Sequence, residues 1–203
     1  MVIEIHGFPG AGKTTVLTMI AQKLLSGKSY LGLSPRKRVY TSFPCPGCLK
    51  INPKQIGKVD FSDATIIIDE ISEFFDNRQY KTFESDTMMY MKLSRHYRND
   101  IVIASQSAND ADKKIRSLVS TTYIIDKFFC FTFIKPIYKF HSLVNGEPGE
   151  RFEIAPITAW KWCYRPKYYK YFDSYETKPL PAPRLEYWEC NFELSKTPKK
   201  GGE

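Results

Sequence analysis

The chain has 203 residues, enough for one domain with a sizeable core and an appendage, and its 42% apolar and 26% charged composition is that of a globular protein. A net charge of +8 favours anionic partners: nucleotides, nucleic acid or phospholipid head groups. Five cysteines, of which only Cys45 and Cys48 are close neighbours, give no disulfide framework and suit a reducing cytoplasm, and no basic segment followed by an apolar run marks a signal peptide.

Residues 2–5 read as a strand, followed by a glycine-rich loop and by a helix over 14–25, where apolar residues recur at helical spacing until Ser26-Gly27. Residues 39–43 form a second short strand that runs into the turn PCPGC. Residues 64–68 (ATIII) are continuously apolar and β-branched, as befits a strand covered on both faces. Helical spacing returns over 84–97, a buried strand over 101–104, a helix over 110–119 and a strand over 121–125. Strands alternating with helices predict an α/β fold with a mostly parallel sheet sandwiched by helices.

From about Phe128 the pattern changes to aromatic strand-like segments and turns. The most apolar stretch, TTYIIDKFFCFTFIKPIY, is interrupted by Asp126-Lys127 and closed by Lys135-Pro136, so it reads as strands and not as a spanning helix. The expected organisation is a core domain over 1–145, an aromatic and basic extension over 146–195 that packs on or near the core, and a disordered tail over 196–203. In the extension, WKWCYRPKYYKYF interleaves aromatic and basic residues, a composition suited to stacking on single-stranded bases, to lying at a membrane surface, or to packing over the sheet edge.

The loop Gly7-Phe8-Pro9-Gly10-Ala11-Gly12-Lys13-Thr14 matches G-x-x-x-x-G-K-[ST] and lies between a predicted strand and helix, the setting of a phosphate loop. Its backbone N–H groups and the helix N-terminus, through Thr15, would cradle the phosphates of ATP. Lys13 would reach the β- and γ-phosphates, and the Thr14 hydroxyl would ligate Mg²⁺. The strand Ile66-Ile67-Ile68 delivers Asp69 and Glu70 at its C-terminal end. Beside a phosphate loop, Asp69 is the expected Mg²⁺ residue and Glu70 the base for the attacking water. The strand ending Ser105-Gln106 presents an amide suited to the γ-phosphate or the water; likeness to phosphate-loop proteins that keep a catalytic Glu after the metal-binding Asp implies that it lies between the loop strand and the Asp-Glu strand. Cys45-Pro-Gly-Cys48 has the spacing of half a zinc site but lacks a second half, leaving a tight turn with two thiols as the alternative.

These residues resemble the zonula occludens toxin-like (Zot) ATPase domain of filamentous-phage assembly proteins, related to the FtsK/HerA motor class of RecA-like phosphate-loop NTPases. The resemblance rests on the loop at 7–14, Asp69-Glu70, the stretch SRHYRNDIVIASQ at 94–106 and DKKIRSLV at 112–119, and it spans roughly 1–145. It implies an ATP-driven step in assembling and extruding a virion, with the domain in the cytoplasm or peripheral to the inner membrane. The implied partners are further copies in a ring such as a hexamer, a membrane-embedded assembly protein, and single-stranded DNA or coat protein as cargo. Family members commonly continue into a transmembrane helix, which this sequence does not show. In such rings an arginine completes the neighbour's site; Arg116 is the first candidate, followed by Arg95 and Arg98. Two alternatives stay open on the residues: a nucleoside kinase, which also joins a phosphate loop to an Asp-Glu strand, and a nucleotide-gated interaction protein with little turnover.

Overall fold

The computed structural model describes residues 1–71, 85–106, 117–144 and 147–171. Its elements are β1 (Val2–His6), α1 (Lys13–Leu25), β2 (Arg38–Thr41), β3 (Leu49–Lys50), β4 (Ala64–Ile68), α2 (Ser85–Lys92), β5 (Asp100–Ser105), β6 (Thr121–Phe128), β7 (Phe131–Val144), β8 (Glu147–Ile154) and β9 (Lys161–Tyr164). One sheet runs β3-β2-β4-β5-β1-β6-β7-β8, with β9 paired to β7. Neighbours from β3 through β6 are parallel, whereas β7 is antiparallel to β6, β8 and β9. This is the phosphate-loop NTPase fold: β5 lies between β1 and β4, so the loop and the Asp-Glu strand flank a strand that also ends at the same edge.

Alternation along the buried strands builds two cores. Ile3, Ile5, Ile67, Val102 and Ala104 face α1 and pack with Val16, Leu17, Ile20 and Leu24. Val2, Ile66, Ile68, Ile101 and Ile103 face the other way and pack with Tyr90 and Met91 of α2. Because both faces are covered, every residue of β1, β4 and β5 is buried, which is why ATIII and IVIA show no polar alternation.

The helix expected over 84–97 ends at Lys92, and turns carry the chain to Arg98. Asn99 N–H donates to Ser94 C=O (2.8 Å) and Arg98 N–H to Arg95 C=O (3.0 Å), while Arg98 adopts φ 54°. That is the paired closure of a Schellman motif, with arginine in the left-handed position that glycine usually fills. Buried Asn99 secures it: its Oδ1 accepts from Ala64 N–H (2.9 Å), and its Nδ2 donates to the Tyr90 hydroxyl.

The sequence stretch weighed against a spanning helix forms β6 and the first part of β7. No helix among the described residues is long and apolar enough to cross a membrane. β7 and β8 are antiparallel neighbours in the same sheet, and the compact unit runs from Met1 to Asp173. Residues 174–203 form a second unit, and these, with the tail expected over 196–203, lie outside the described residues. β9 and the residues after it lie against α1: Cys163 and Tyr168 are buried in the α1 core, whereas Trp162, Tyr164 and Tyr169 stay exposed.

Candidate functional site

The loop between β1 and α1 has the backbone its glycines demand. Gly10 and Gly12 adopt φ 76° and 96°, left-handed values at which a side chain is strained. Gly12 is the N-cap of α1; it brings no capping side chain, and no acidic residue stands in the first turn. The leading N–H groups of α1 and its positive dipole end therefore face the loop's concavity without a local acceptor from the cap, an arrangement that suits a phosphate. Lys13 Nζ reaches back over the loop to donate to Gly7 C=O (2.8 Å) and Phe8 C=O (3.5 Å). Phe8 stands 79% exposed on the loop's crest.

Two contacts join the loop and the neighbouring strand ends into one edge: the first links the loop's end to β4, the second β4 to β5. Thr14 Oγ1 donates to Asp69 Oδ2 at 2.5 Å, a charge-assisted bond linking the first turn of α1 to the end of β4. Asp69 is itself held by its N–H, which donates to Ser42 Oγ (2.9 Å) just beyond β2. Gln106 Nε2 donates to Glu70 Oε2 (3.0 Å), linking the ends of β5 and β4. Glu70 adopts φ 56°, a conformation that costs a non-glycine residue about 1–3 kcal/mol. The outlier sits directly after the carboxylate that meets Thr14, where it sets the direction of a second carboxylate. A hydroxyl and a carboxylate at hydrogen-bond distance make a hard-oxygen donor set, the chemistry Mg²⁺ prefers. The cradle and the donor set thus fit a triphosphate and its metal.

Other predicted residues fall elsewhere. Arg95 and Arg98 precede β5, at the sheet edge opposite the loop, and Arg98 pairs with Asp63 (3.3 Å). Arg116 lies outside the described residues. Cys45 and Cys48 are free thiols in one turn, closed by Cys48 N–H to Cys45 C=O (3.1 Å). The hydrogen bond from Cys48 lowers Cys45 to about 7, and the same bond with burial raises Cys48. No group of three metal-ligating side chains occurs among the described residues.

Two features went unread in the sequence. His6, on the last position of β1, hydrogen-bonds buried Ser105 through Nδ1 (2.6 Å) and meets buried Glu4 through Nε2 (3.2 Å). The signal was present as two polar residues at strand spacing in an otherwise apolar segment, but the partner stands 99 residues away. The second is Arg165, whose Cδ lies 3.3 Å from where a Cβ on Gly12 would stand. The composition of its segment suited bases, a membrane surface or packing over the sheet edge, and singled out no contact with the loop.

Comparison with known proteins bears on family and fold. The model of the family described as zonular occludens toxin (Zot) matches residues 48–178, well over half of the chain, beginning after the phosphate loop and including β4 through β9. Among solved structures, the chain is similar to the N-terminal domain of zonular occludens toxin from Neisseria meningitidis, at 16% identity and TM-score 0.49 over 85% of this chain and 98% of that one. It is also similar to the genome packaging NTPase B204 from Sulfolobus turreted icosahedral virus 2, solved with ATP-gammaS (11% identity, TM-score 0.46, 77% and 97% covered). The flagellar accessory protein FlaH from Methanocaldococcus jannaschii resembles it at 16% identity and TM-score 0.45, over 76% of this chain and 89% of that one. No curated protein sequence matches the chain. The chain belongs to the Zot family.

Proposed function

We propose that the protein is a Mg²⁺-dependent ATPase motor that drives assembly and extrusion of a filamentous virion. The observation that carries this reading is the pair of contacts Thr14–Asp69 and Gln106–Glu70, which join three separate sequence motifs at one sheet edge. Gly7 through Thr15 hold the triphosphate, with Lys13 on its terminal phosphates. Thr14 and Asp69 hold Mg²⁺, which, when bound, neutralises charge on the phosphates. Glu70 orients and deprotonates the attacking water, and Gln106, bonded to Glu70, couples the γ-phosphate to the position of that base. A residue dedicated to water activation favours turnover over a passive nucleotide switch.

Arg116 of a neighbouring copy completes the site in a ring, a hexamer by analogy with related motors. The ring works at the cytoplasmic face of the inner membrane with a membrane-embedded partner, on single-stranded DNA or coat protein. The test is the ATP hydrolysis rate across a protein concentration series, with Glu70→Gln as the blank. A specific rate that rises with concentration is expected. Phosphate transfer to a nucleoside would establish a kinase instead, and tight ATP binding without turnover, with partners present, would establish a switch.

A further inference from the structure

We propose that Arg165 is a second same-chain cation of the nucleotide site, contacting the polyphosphate at the Gly12 end of the loop. The inference rests on the reading of that loop as a triphosphate cradle. It adds to the site a residue from beyond β9, far from the three motifs in sequence.

Arg165 is brought there by a chain of specific contacts. Thr132, near the start of β7, donates its hydroxyl to Ala11 C=O in the loop (3.0 Å) and is the register partner of Cys163 in β9. Two residues on, Arg165 N–H donates to Cys130 C=O in the β6–β7 turn (2.9 Å). The backbone of Arg165 is therefore anchored to the same hairpin that is bonded to the loop. Its stem lies on the loop, as the approach to Gly12 shows. Pro166 follows in the first turn of a 3-10 segment, which restricts the backbone on the other side.

Among the described residues, one N–H of the charged end lacks the partner such a position calls for. Arg165 Nε is buried and has no hydrogen-bond partner, and no carboxylate among the described residues pairs with the guanidinium. The ring of Tyr169 lies beside it, with the centroid 5.8 Å from Cζ. A shielded N–H without an acceptor is rare in folded proteins, and beside a phosphate cradle an anionic oxygen is a partner that fits it. A guanidinium presents a planar fork of donors that matches phosphate oxygens. Lys13 Nζ stands at Gly7 and Phe8, the first end of the loop, and Arg165 at Gly12, the last. Two cations of different geometry thus bracket a cradle whose own backbone supplies N–H donors. A role in packing alone would use the stem and leave the guanidinium in water.

The experiment compares ATP and ADP affinities of the full chain by calorimetry with those of Arg165→Gln, Arg165→Lys and Lys13→Ala. Loss of a charge-assisted contact weakens Arg165→Gln by roughly 10- to 100-fold for both nucleotides, with Arg165→Lys in between. The salt dependence of binding becomes shallower in Arg165→Gln. Wild-type affinity in Arg165→Gln, with binding lost in Lys13→Ala, would overturn the role of Arg165 and leave the loop's assignment standing. Wild-type affinity in Lys13→Ala would overturn the loop's assignment, and this inference with it. A readout on the unaltered protein covers the case in which Arg165→Gln does not fold. Phenylglyoxal labelling followed by peptide mapping should show Arg165 protected by ATP and by inorganic tripolyphosphate. Equal labelling with and without both anions would refute the contact, and protection by adenosine alone would refute its assignment to phosphate.

Discussion

Gly12→Ala tests whether the loop is held by the β7 hairpin as well as by its own turns. The added Cβ would stand 2.8 Å from Thr132 Oγ1 and 3.3 Å from Arg165 Cδ, at a residue with φ 96°. The backbone conformation costs alanine about 1–3 kcal/mol. Thr132 must also give way, and its bond to Ala11 C=O, worth about 0.5–1.5 kcal/mol, is lost or lengthened. The sum is about 1.5–4.5 kcal/mol, a large part of the roughly 5–15 kcal/mol that holds a domain folded. With a urea slope of about 2 kcal/mol per molar, the unfolding midpoint should fall by about 1–2 M. The assay is urea denaturation of Gly12→Ala, Thr132→Ala and the double variant. If the hairpin contact is real, Thr132→Ala makes room for the new methyl, and the double variant loses less than the two single losses added together. An unchanged midpoint in Gly12→Ala would refute the reasoning, and strict additivity would assign the whole cost to the backbone and none to Thr132.

Replacing the proposed base, Glu70→Gln, should leave ATP binding intact and reduce turnover by about 10²- to 10⁴-fold, measured as phosphate release; retained turnover would place the base elsewhere. Mixing Arg116→Ala with Glu70→Gln subunits should restore part of the activity that neither has alone, and no rescue in verified mixed oligomers would remove Arg116 from the shared site. The thiol pair carries a pH signature. Cys45 should ionise with a midpoint near 7, read by ultraviolet thiolate absorbance, and Cys48→Ala should move that midpoint up towards the ordinary thiol value of ~8.5. Its lowered value stabilises the fold as pH rises from about 7 towards the unfolded thiols' ~8.5, and the gain is lost as pH falls through 7. Above that window Cys48, held protonated by the same bond, reverses the trend, so stability against pH should pass through a maximum that Cys48→Ala abolishes.

Local signals carried much of this protein. The loop at 7–14 was legible because glycine, lysine and hydroxyl requirements fall within eight consecutive residues, and β4 and β5 because strands buried on both faces have no polar alternation. The place of β5 between β1 and β4 was expected from likeness to phosphate-loop proteins that keep a Glu after the metal-binding Asp, and the pairing of β5 with both strands agrees with it. Tertiary structure decided what depends on distant residues meeting. The turns that follow α2 are closed at 94–99 by buried Asn99, which bonds Ala64 on another strand, so helical periodicity alone overran the helix. Glu4, His6 and Ser105 became a network only through the register of β1 with β5. Arg165 reaches Gly12 only because β9 pairs with β7 while Thr132 is bonded to the loop, 121 residues from its acceptor. A sequence displays the periodicity and conformational needs of neighbouring residues. Which side chains from separate strands share one edge is set by pairing and packing, where long-range contacts must outweigh the entropy of closing the chain between them.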